Sequence, residues 1–266
     1  MKHEFRLFLV ALQFLTRLPV PAFRHFDPAW LHASARWFPA VGLLVGGLVA
    51  LALWAAWALW PPALAVVLAL ALGVAVTGAF HEDGLADTWD ALGGVVPRER
   101  ALVIMKDSRL GSYGALALGL GLAAKTLALL AVAQVSLALA LAALPLLHAW
   151  ARAGTVVLIA VLRYGGDEAH AKAKPLATRA DGAALPVALG SCVAASAAAW
   201  AAGLIGTLPL ALIVAATALA TVLTGAWLQR RLGGYTGDGL GATEQHAELA
   251  GWLALAAACR LGVAGA

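Results

Sequence analysis

Long apolar runs, separated by short polar segments, dominate the chain. No charged residue lies between Trp37 and Phe80, and Pro61-Pro62 interrupts this run near its middle. A run of this length exceeds the roughly 20 apolar residues that one transmembrane helix needs, and a proline pair favours a turn. The pattern therefore predicts two transmembrane helices joined by a tight turn.

Two further runs repeat this arrangement. The run from Ser112 to Leu162 contains a polar break near Gln134 to Ser136, and the charge-free run from Gly182 to Trp227 is broken near Gly206 to Pro209. Each is long enough for two passes. Together the three runs predict six transmembrane helices.

The two ends of the chain carry shorter apolar runs. Phe5 to Leu18 ends at the breaker Pro19-Val20-Pro21, which favours a helix in the membrane interface, although a tilted first span fits equally. The final run begins at Leu249 and adds a possible seventh span. We expect an all-α fold: a polytopic integral membrane helical bundle of six to seven transmembrane helices with an amino-terminal interfacial helix.

Composition supports the membrane assignment. Hydrophobic residues make up 62% of the chain and charged residues 12%, with a mean hydropathy of +0.87, which is outside the range of soluble globular domains. The formal net charge is +4, but the basic residues are scattered and form no basic, aromatic stretch, so we expect no nucleic-acid partner. Cys192 and Cys259 lie within apolar runs and fit no metal-binding spacing.

Charge is distributed unevenly between the two sides of the predicted bundle. The turns near Pro61, Gln134 and Gly206 carry no Lys or Arg, whereas the other connections carry almost all of them, so the positive-inside rule puts the latter in the cytoplasm. All 14 acidic residues fall on that same side. We expect residues 1–266 to form a single membrane-embedded catalytic domain with a cytoplasmic active face.

The stretch Phe80 to Gly94 concentrates the chemistry. At about 100° per residue, Asp83, Asp87 and Asp90 fall within an arc of about 60°, and Glu82 adjoins them. Like charges at these spacings cost a helix about 0.2 to 0.5 kcal/mol per pair, which favours a bound divalent cation. Carboxylates suit Mg²⁺ or Mn²⁺ better than Zn²⁺. The alternative is a solvated acidic helix start in which Glu82 or Asp83 caps the helix.

A second motif spans Ile104 to Gly114. It places Lys106 and Arg109 just before Gly111 and Gly114, at the start of a predicted span. Cationic side chains beside free backbone amides at a helix amino terminus are suited to binding phosphate. Anchoring by the positive-inside rule explains the same residues equally well.

A third motif, Gly233 to Ala250, combines a glycine-rich loop with Asp238, Glu244 and Glu248. Its glycines allow close backbone approach, and Asp238 is suited to completing a metal shell or binding a sugar hydroxyl. A flexible loop is the alternative.

Four further ionisable residues lie in or beside the apolar runs. Within a span, Lys125 and Arg152 each cost about 2.5 to 3.5 kcal/mol on insertion scales unless they are paired, and we favour a functional role for Arg152 but leave Lys125 open. His81 adjoins the acids and is a candidate base, whereas His148 is typical of a core histidine. This inventory, without a nucleophilic Ser, Cys or His arrangement, indicates phosphoryl or nucleotidyl transfer.

The motifs closely resemble the cobalamin synthase family (adenosylcobinamide-GDP ribazoletransferase), from about Phe14 to Glu248. In chain order they are FLTRLPVP, HEDGLADTWDALGG, IMKDSRLGSYGALAL and GGYTGDGLGA. The resemblance implies an inner-membrane enzyme of the late cobalamin pathway. It would join adenosylcobinamide-GDP to α-ribazole or its 5′-phosphate, release GMP and require Mg²⁺. Association with other pathway enzymes and oligomer formation are left open.

The resemblance also implies the site residues. The family's acid motif corresponds to Glu82, Asp83, Asp87 and Asp90, which we expect to bind the metal, and we assign Asp90 and His81 as candidate catalytic residues. From the family's other motifs we expect Lys106, Asp107, Arg109, Asp238 and Glu248 to bind substrate, and Glu244 is left out. Arg152 joins them on the strength of its position in its span, not of the resemblance.

Two other functions use a cytoplasmic acid cluster. CDP-alcohol phosphotransferases of phospholipid synthesis carry an Ala-Arg two residues after their Asp-Gly pair, but here Asp87 occupies the position of that Arg. A divalent-cation transporter would place acids or amides at bilayer depth in several spans, and these spans offer only Lys125, His148, Arg152 and Arg260.

Overall fold

The computed structural model describes residues 2–23, 27–166 and 182–263, and within these ranges the chain is largely helical. The helices in chain order are α1 Lys2–Leu15, α2 Pro28–Ser34, α3 Phe38–Leu59, α4 Pro62–Thr77, α5 Phe80–Leu92, α6 Arg98–Met105, α7 Ser112–Val135, α8 Leu137–Val161, α9 Ala184–Ala201, α10 Thr207–Leu232 and α11 Gly237–Arg260. The all-α prediction is confirmed. Most of the polar segment predicted between α8 and α9 falls in 167–181, outside the described residues.

The apolar helices are those of a multi-pass membrane protein. By length and composition, five segments of the described chain are able to cross a membrane: α2 and α3 together, and α7, α8, α9 and α10. The pair α4 and α5 qualifies only jointly and is bent by 87°, which brings the count to six. The bend turns α5, with its acidic residues, nearly perpendicular to α4, so α5 does not extend the apolar helix across the membrane. The helix α1 has 14 residues, short of a span.

Two consecutive left-handed residues make the bend between α4 and α5. Gly78 has φ 67° and Ala79 has φ 59°. The amide of Ala79 donates to the carbonyl of Val74 at 2.9 Å, which closes α4 in the manner of a helix-ending glycine motif. Glycine adopts this conformation freely, whereas alanine does so at a cost of about 1 kcal/mol. The bend starts the acidic helix directly at the end of an apolar one.

The carboxyl-terminal part of the chain forms one helix where the sequence suggested a polar segment followed by a separate apolar run. Thr236 caps α11 by accepting the amide of Gly239 at 3.0 Å, and the helix then continues through Glu248 and Leu249 to Arg260. It is not among the candidate spans of the described chain. Instead it packs against α5, α7, α8 and α10, which places its polar residues inside the bundle.

Small residues allow the apolar core to pack closely. A Cβ atom added at Gly46 of α3 would lie 2.6 Å from the Cα atom of Pro145 in α8, so only glycine permits this approach. The contact fixes α8 beside α3 and thereby sets the position of the polar residues that α8 turns toward α11.

Candidate active site where α5 crosses α11

Two glycines bring the acidic helix α5 against the start of α11. A Cβ atom added at Gly84 would lie 2.8 Å from the carbonyl oxygen of Asp238, and one added at Gly241 would lie 3.2 Å from the Cα atom of Gly84. The two backbones are therefore in direct contact, which no larger residue would allow. This crossing brings together acids that lie far apart in the sequence.

Asp83, Asp87 and Asp238 form an outward-facing acid cluster at the crossing. Burial, followed by the negative charges of Asp238, Asp83 and Asp90, raises the pKa of Asp87 to about 7. Burial and the charge of Asp83 raise the pKa of Asp238 to about 6. Asp87 and Asp238 thus resist ionisation, and a bound cation would favour their charged forms. The donors are all carboxylate oxygens, which fit Mg²⁺.

Asp90 lies at the edge of this cluster and also holds the start of α7. One carboxylate oxygen accepts the amide of Gly111 at 2.7 Å, and the other accepts the amide of Gly114 at 2.8 Å. An acid here satisfies free amides of the helix terminus and stabilises its positive end. Asp90 therefore couples the acid motif to the second motif, which the spacing alone did not predict.

Glu82 is turned away from the other three acids of its motif. It accepts a hydrogen bond from Nε2 of Gln245 at 3.1 Å and lines an internal cavity of about 30 Å³. At about 100° per residue it lies well round the helix from Asp83 and Asp87. The sequence grouped it with the metal ligands, whereas its contacts connect it to the interior of the bundle.

A buried ionic network fills that interior. Lys125 of α7 donates to Glu248 at 2.7 Å, and Arg152 of α8 lies 2.7 Å from Glu244 and 3.4 Å from Glu248. Nδ1 of His148 lies 2.7 Å from the same Glu248. All five residues are at most 8% exposed. Opposite charges within hydrogen-bonding distance make their burial tolerable.

Sequence reasoning missed part of this network. Arg152 and Glu248 were assigned to substrate binding and Glu244 was left out, whereas His148 is the buried, paired histidine that the sequence predicted. The signal for a network was present, because unpaired charges such as Lys125 and Arg152 are expensive inside a span and require partners. The partners were not identifiable, because Glu244 and Glu248 appeared to lie in a separate polar segment.

His148, Glu244 and Glu248 also place potential ligand atoms within 4.8 Å of one another. Two cations, Lys125 and Arg152, already pair with these carboxylates. A metal ion there would lie beside both positive charges. Among the described residues, Asp83, Asp87 and Asp238 bring no three ligand atoms this close together, so they would have to draw closer around a cation.

His81 lies at the start of α5 and is 4% exposed. Its Nδ1 atom is 3.9 Å from Glu244, and its side chain lines the two small cavities that flank Arg152. The structure thus places this candidate base with the buried network rather than on the outward face of the acid cluster.

The second motif lies at the surface, between α6 and α7. Lys106 follows the last residue of α6, and Arg109 donates to both carboxylate oxygens of Asp107, with the shortest distance being 2.6 Å. The Arg109 side chain is 86% exposed. These residues precede Gly111, whose amide contacts Asp90, so the motif lies next to the acid cluster.

Two arginines that the sequence analysis did not single out tie this face together. Arg231 at the end of α10 donates to the carbonyl oxygens of Leu92 and Gly94 at 2.8 and 2.9 Å. Arg98 donates to the carbonyls of Leu232 and Gly165. Satisfying the last carbonyls of a helix with arginine fixes its end, so these contacts hold α5 in place.

Comparison with known proteins identifies the family. Residues 7–256 match the family described as cobalamin-5-phosphate synthase. The chain is 52% identical over 259 residues to the adenosylcobinamide-GDP ribazoletransferase of Leptothrix cholodnii, covering 95% of this chain and 96% of that protein. The proteins of the same name from Albidiferax ferrireducens and Shewanella frigidimarina are 44% and 40% identical, covering 96% of this chain and 99% and 95% of their own lengths.

No solved structure matches the chain. The comparisons favour neither a CDP-alcohol phosphotransferase nor a cation transporter. With nearly its whole length matched and its three motifs meeting at one crossing, the chain belongs to the cobalamin-5-phosphate synthase family.

Proposed function

We propose that this protein joins adenosylcobinamide-GDP to α-ribazole, or to α-ribazole 5′-phosphate, and releases GMP. The shared name of its relatives, adenosylcobinamide-GDP ribazoletransferase, supplies the two substrates. The observation that carries the proposal is the meeting of Asp83, Asp87 and Asp238 at the crossing of α5 and α11. Transfer between a diphosphate and a hydroxyl needs such a site, because negative charge must be neutralised around phosphorus.

The transfer forms one bond and breaks another. A hydroxyl oxygen of the ribazole bonds to the phosphorus that stays with the cobinamide, the diphosphate P–O bond breaks, and GMP leaves. Asp83, Asp87 and Asp238 are the residues we expect to hold Mg²⁺, with Asp90 beside them. When bound, the metal would neutralise the diphosphate and polarise its oxygens. Glu82 is left to orient Gln245 at the inner side of α5.

The other predicted site residues divide by position. Lys106 and Arg109 are exposed enough to meet a phosphate, and Asp107 keeps Arg109 oriented through its two-point contact. Arg152 and Glu248 are each 1% exposed, so we expect them to position α11 rather than to touch substrate.

The hydroxyl proton needs an acceptor, and the two candidates are Asp90 and His81. Asp90 borders the acid cluster, but both of its oxygens already accept backbone amides. A third hydrogen bond is compatible with carboxylate geometry, so Asp90 remains the better candidate. His81 is buried and faces the interior, which makes direct contact with a substrate hydroxyl difficult.

We also propose that the acid cluster faces the cytoplasm at the inner membrane of a bacterium. The charge asymmetry of the sequence supports this orientation, because the connections that carry Lys and Arg are predicted on the same side of the membrane as the acids. The test is to replace the exposed Glu99 with cysteine and to label it in intact cells with a thiol reagent that does not cross the membrane. Labelling of Glu99→Cys from outside the cell would show the opposite orientation.

The deciding experiment is GMP release from adenosylcobinamide-GDP and α-ribazole 5′-phosphate by the purified protein in lipid, with and without Mg²⁺. We expect release that depends on the metal and is matched by formation of the joined corrinoid. Folded protein that releases no GMP would refute the proposed reaction. Release that is unchanged after chelation would refute the metal role alone.

A further inference from the structure

An apolar groove of about 440 Å³ lies between α5, α7 and α11. Leu85 and Trp89 form its α5 wall. At about 100° per residue, these two side chains lie on the opposite side of α5 from Asp83 and Asp87. The groove therefore runs along the underside of the acidic helix, and none of the residues assigned above to catalysis or metal binding lines it.

The mouth of the groove opens on a membrane-facing helix. Leu116 and Leu120 line it and are 61% and 69% exposed, and their helix α7 is one of the candidate spans. The groove extends from Tyr113 to Lys125, which is about 18 Å along a helix. One leaflet is about half of a roughly 30 Å hydrocarbon core, so the groove has the depth of a single leaflet.

The polar side chains at the inner end of the groove already have hydrogen-bond partners within the protein. Nζ of Lys125 donates to Gln245 at 2.9 Å and to Glu248 at 2.7 Å. The amide nitrogen of Gln245 donates in turn to Glu82 and Glu244. Both residues thus direct their polar atoms into the ionic network and present mainly carbon to the groove, as amphipathic side chains commonly do.

The ring nitrogens of the aromatic residues that line the groove also have hydrogen-bond partners. Nε1 of Trp89 donates to Nε2 of His246 at 3.1 Å, and Nδ1 of His246 lies 3.1 Å from the hydroxyl of Thr224. In the neutral imidazole this arrangement puts the proton on Nδ1, so both ring nitrogens have partners. A nucleoside or other polar ligand would find few free donors or acceptors here. A hydrocarbon chain needs no hydrogen bonds and would therefore give up none on entering the groove.

We propose that the groove binds one acyl chain of a bilayer phospholipid, which lies under α5 and fills the space between Leu85, Trp89 and α7. Filling the void supplies packing contacts that the helix would otherwise lack on this side, and packing rather than hydrophobic transfer drives association in a bilayer. The lipid would brace the acidic helix from below. This site is separate from the proposed catalytic function.

Two glycines of α7 allow a matched test. Gly121 lines the groove, and a Cβ atom added there would meet only Leu85, at 3.8 Å. Gly119 is exposed, and a Cβ atom added there would have no neighbour within 4 Å among the described residues. Gly121→Phe therefore fills the groove, whereas Gly119→Phe adds the same ring to the same helix outside it.

The proteins are purified in detergent with identical washing, and phospholipid bound per chain is measured by extraction and native mass spectrometry. We expect the unchanged protein and Gly119→Phe to retain one phospholipid, and Gly121→Phe to lose it. If Gly121→Phe misfolds by circular dichroism, Ala117→Phe fills the same groove and replaces it.

Equal lipid retention in all three proteins would overturn the proposal, as would an unchanged protein that holds no phospholipid. Release of the bound lipid by added α-ribazole would instead identify the groove as a site for the nucleoside base and would also overturn it. None of these readouts depends on turnover, so they stand whether or not the GMP-release assay succeeds.

Discussion

Asp87→Asn is expected to abolish activity and at the same time stabilise the metal-free protein. The folded state raises the pKa of Asp87 from its ordinary value of 3.8 to about 7. Between these two values the folded state keeps a proton that the unfolded chain releases, so the ionised carboxylate lowers stability at neutral pH and above. Stability due to this group therefore rises as the pH falls from about 7 toward 4.

The magnitude follows from the same pKa. A shift of this size corresponds to about 4 kcal/mol at most, and solvent screening of a carboxylate that is partly exposed reduces this to roughly 1 to 2 kcal/mol. Asparagine keeps the shape of the side chain and removes the charge. We therefore expect Asp87→Asn to unfold at a higher temperature than the unchanged protein in EDTA at pH 8, and the gain to disappear near pH 4.

Thermal unfolding in detergent, followed by circular dichroism with EDTA or Mg²⁺, measures this effect. Mg²⁺ should stabilise the unchanged protein, because a ligand that binds only the folded state raises its stability, and should have little effect on Asp87→Asn. The control Glu99→Gln removes an exposed carboxylate outside the cluster and should change neither response. An asparagine variant that is less stable in EDTA, or that keeps full activity, would refute the like-charge cluster.

Three further changes test the crossing and its supports. Gly84→Ala forces a methyl group against a backbone carbonyl and should lower activity at least tenfold and stability by about 1 to 3 kcal/mol. The control Gly190→Ala adds the same methyl group in open space and should change neither quantity. Equal effects of the two changes would contradict the close crossing. Lys125→Met leaves Glu248 buried beside fewer cations and should lower the free energy of unfolding by about 3 kcal/mol, measured as a lower unfolding temperature. The double variant with Glu248→Gln should recover part of that loss. If the losses of the two single variants instead add, the two residues are not directly paired. Asp90→Asn, which keeps only one accepting oxygen, should cost about 1 kcal/mol and increase amide exchange in the first turn of α7, and unchanged exchange would contradict its capping role.

Several elements of the fold were predictable from local pattern. The uncharged run that ends at Phe80 is divided by Pro61-Pro62 and is long enough for two helices. In lipid the backbone must form its own hydrogen bonds, which favours helices, and α3 and α4 form there as predicted. The helical spacing of Asp83 and Asp87 likewise predicted a shared face, because helix periodicity is a local property. The structure keeps these two acids together and adds Asp238 from α11.

Other features depend on contacts between distant segments. The 87° bend needs a left-handed backbone conformation at Ala79. The sequence does not predict this conformation, because alanine normally avoids it. The length of α11 depends on neighbours that bury Glu244 and Glu248, and periodicity alone suggested a polar segment ending there. The role of Asp90 depends on the position of the α7 amides, which only packing decides.

The sequence by itself thus determined that the protein is helical and membrane-embedded, and which acids of α5 share a helix face, because hydropathy and helix periodicity are properties of single segments. Only the tertiary structure decided how those acids are divided. Glu82 turns inward and Asp238 joins Asp83 and Asp87, because the glycines at positions 84 and 241 let two backbones touch. Close approach between helices depends on the shapes of both partners, and a single segment contains only one of them.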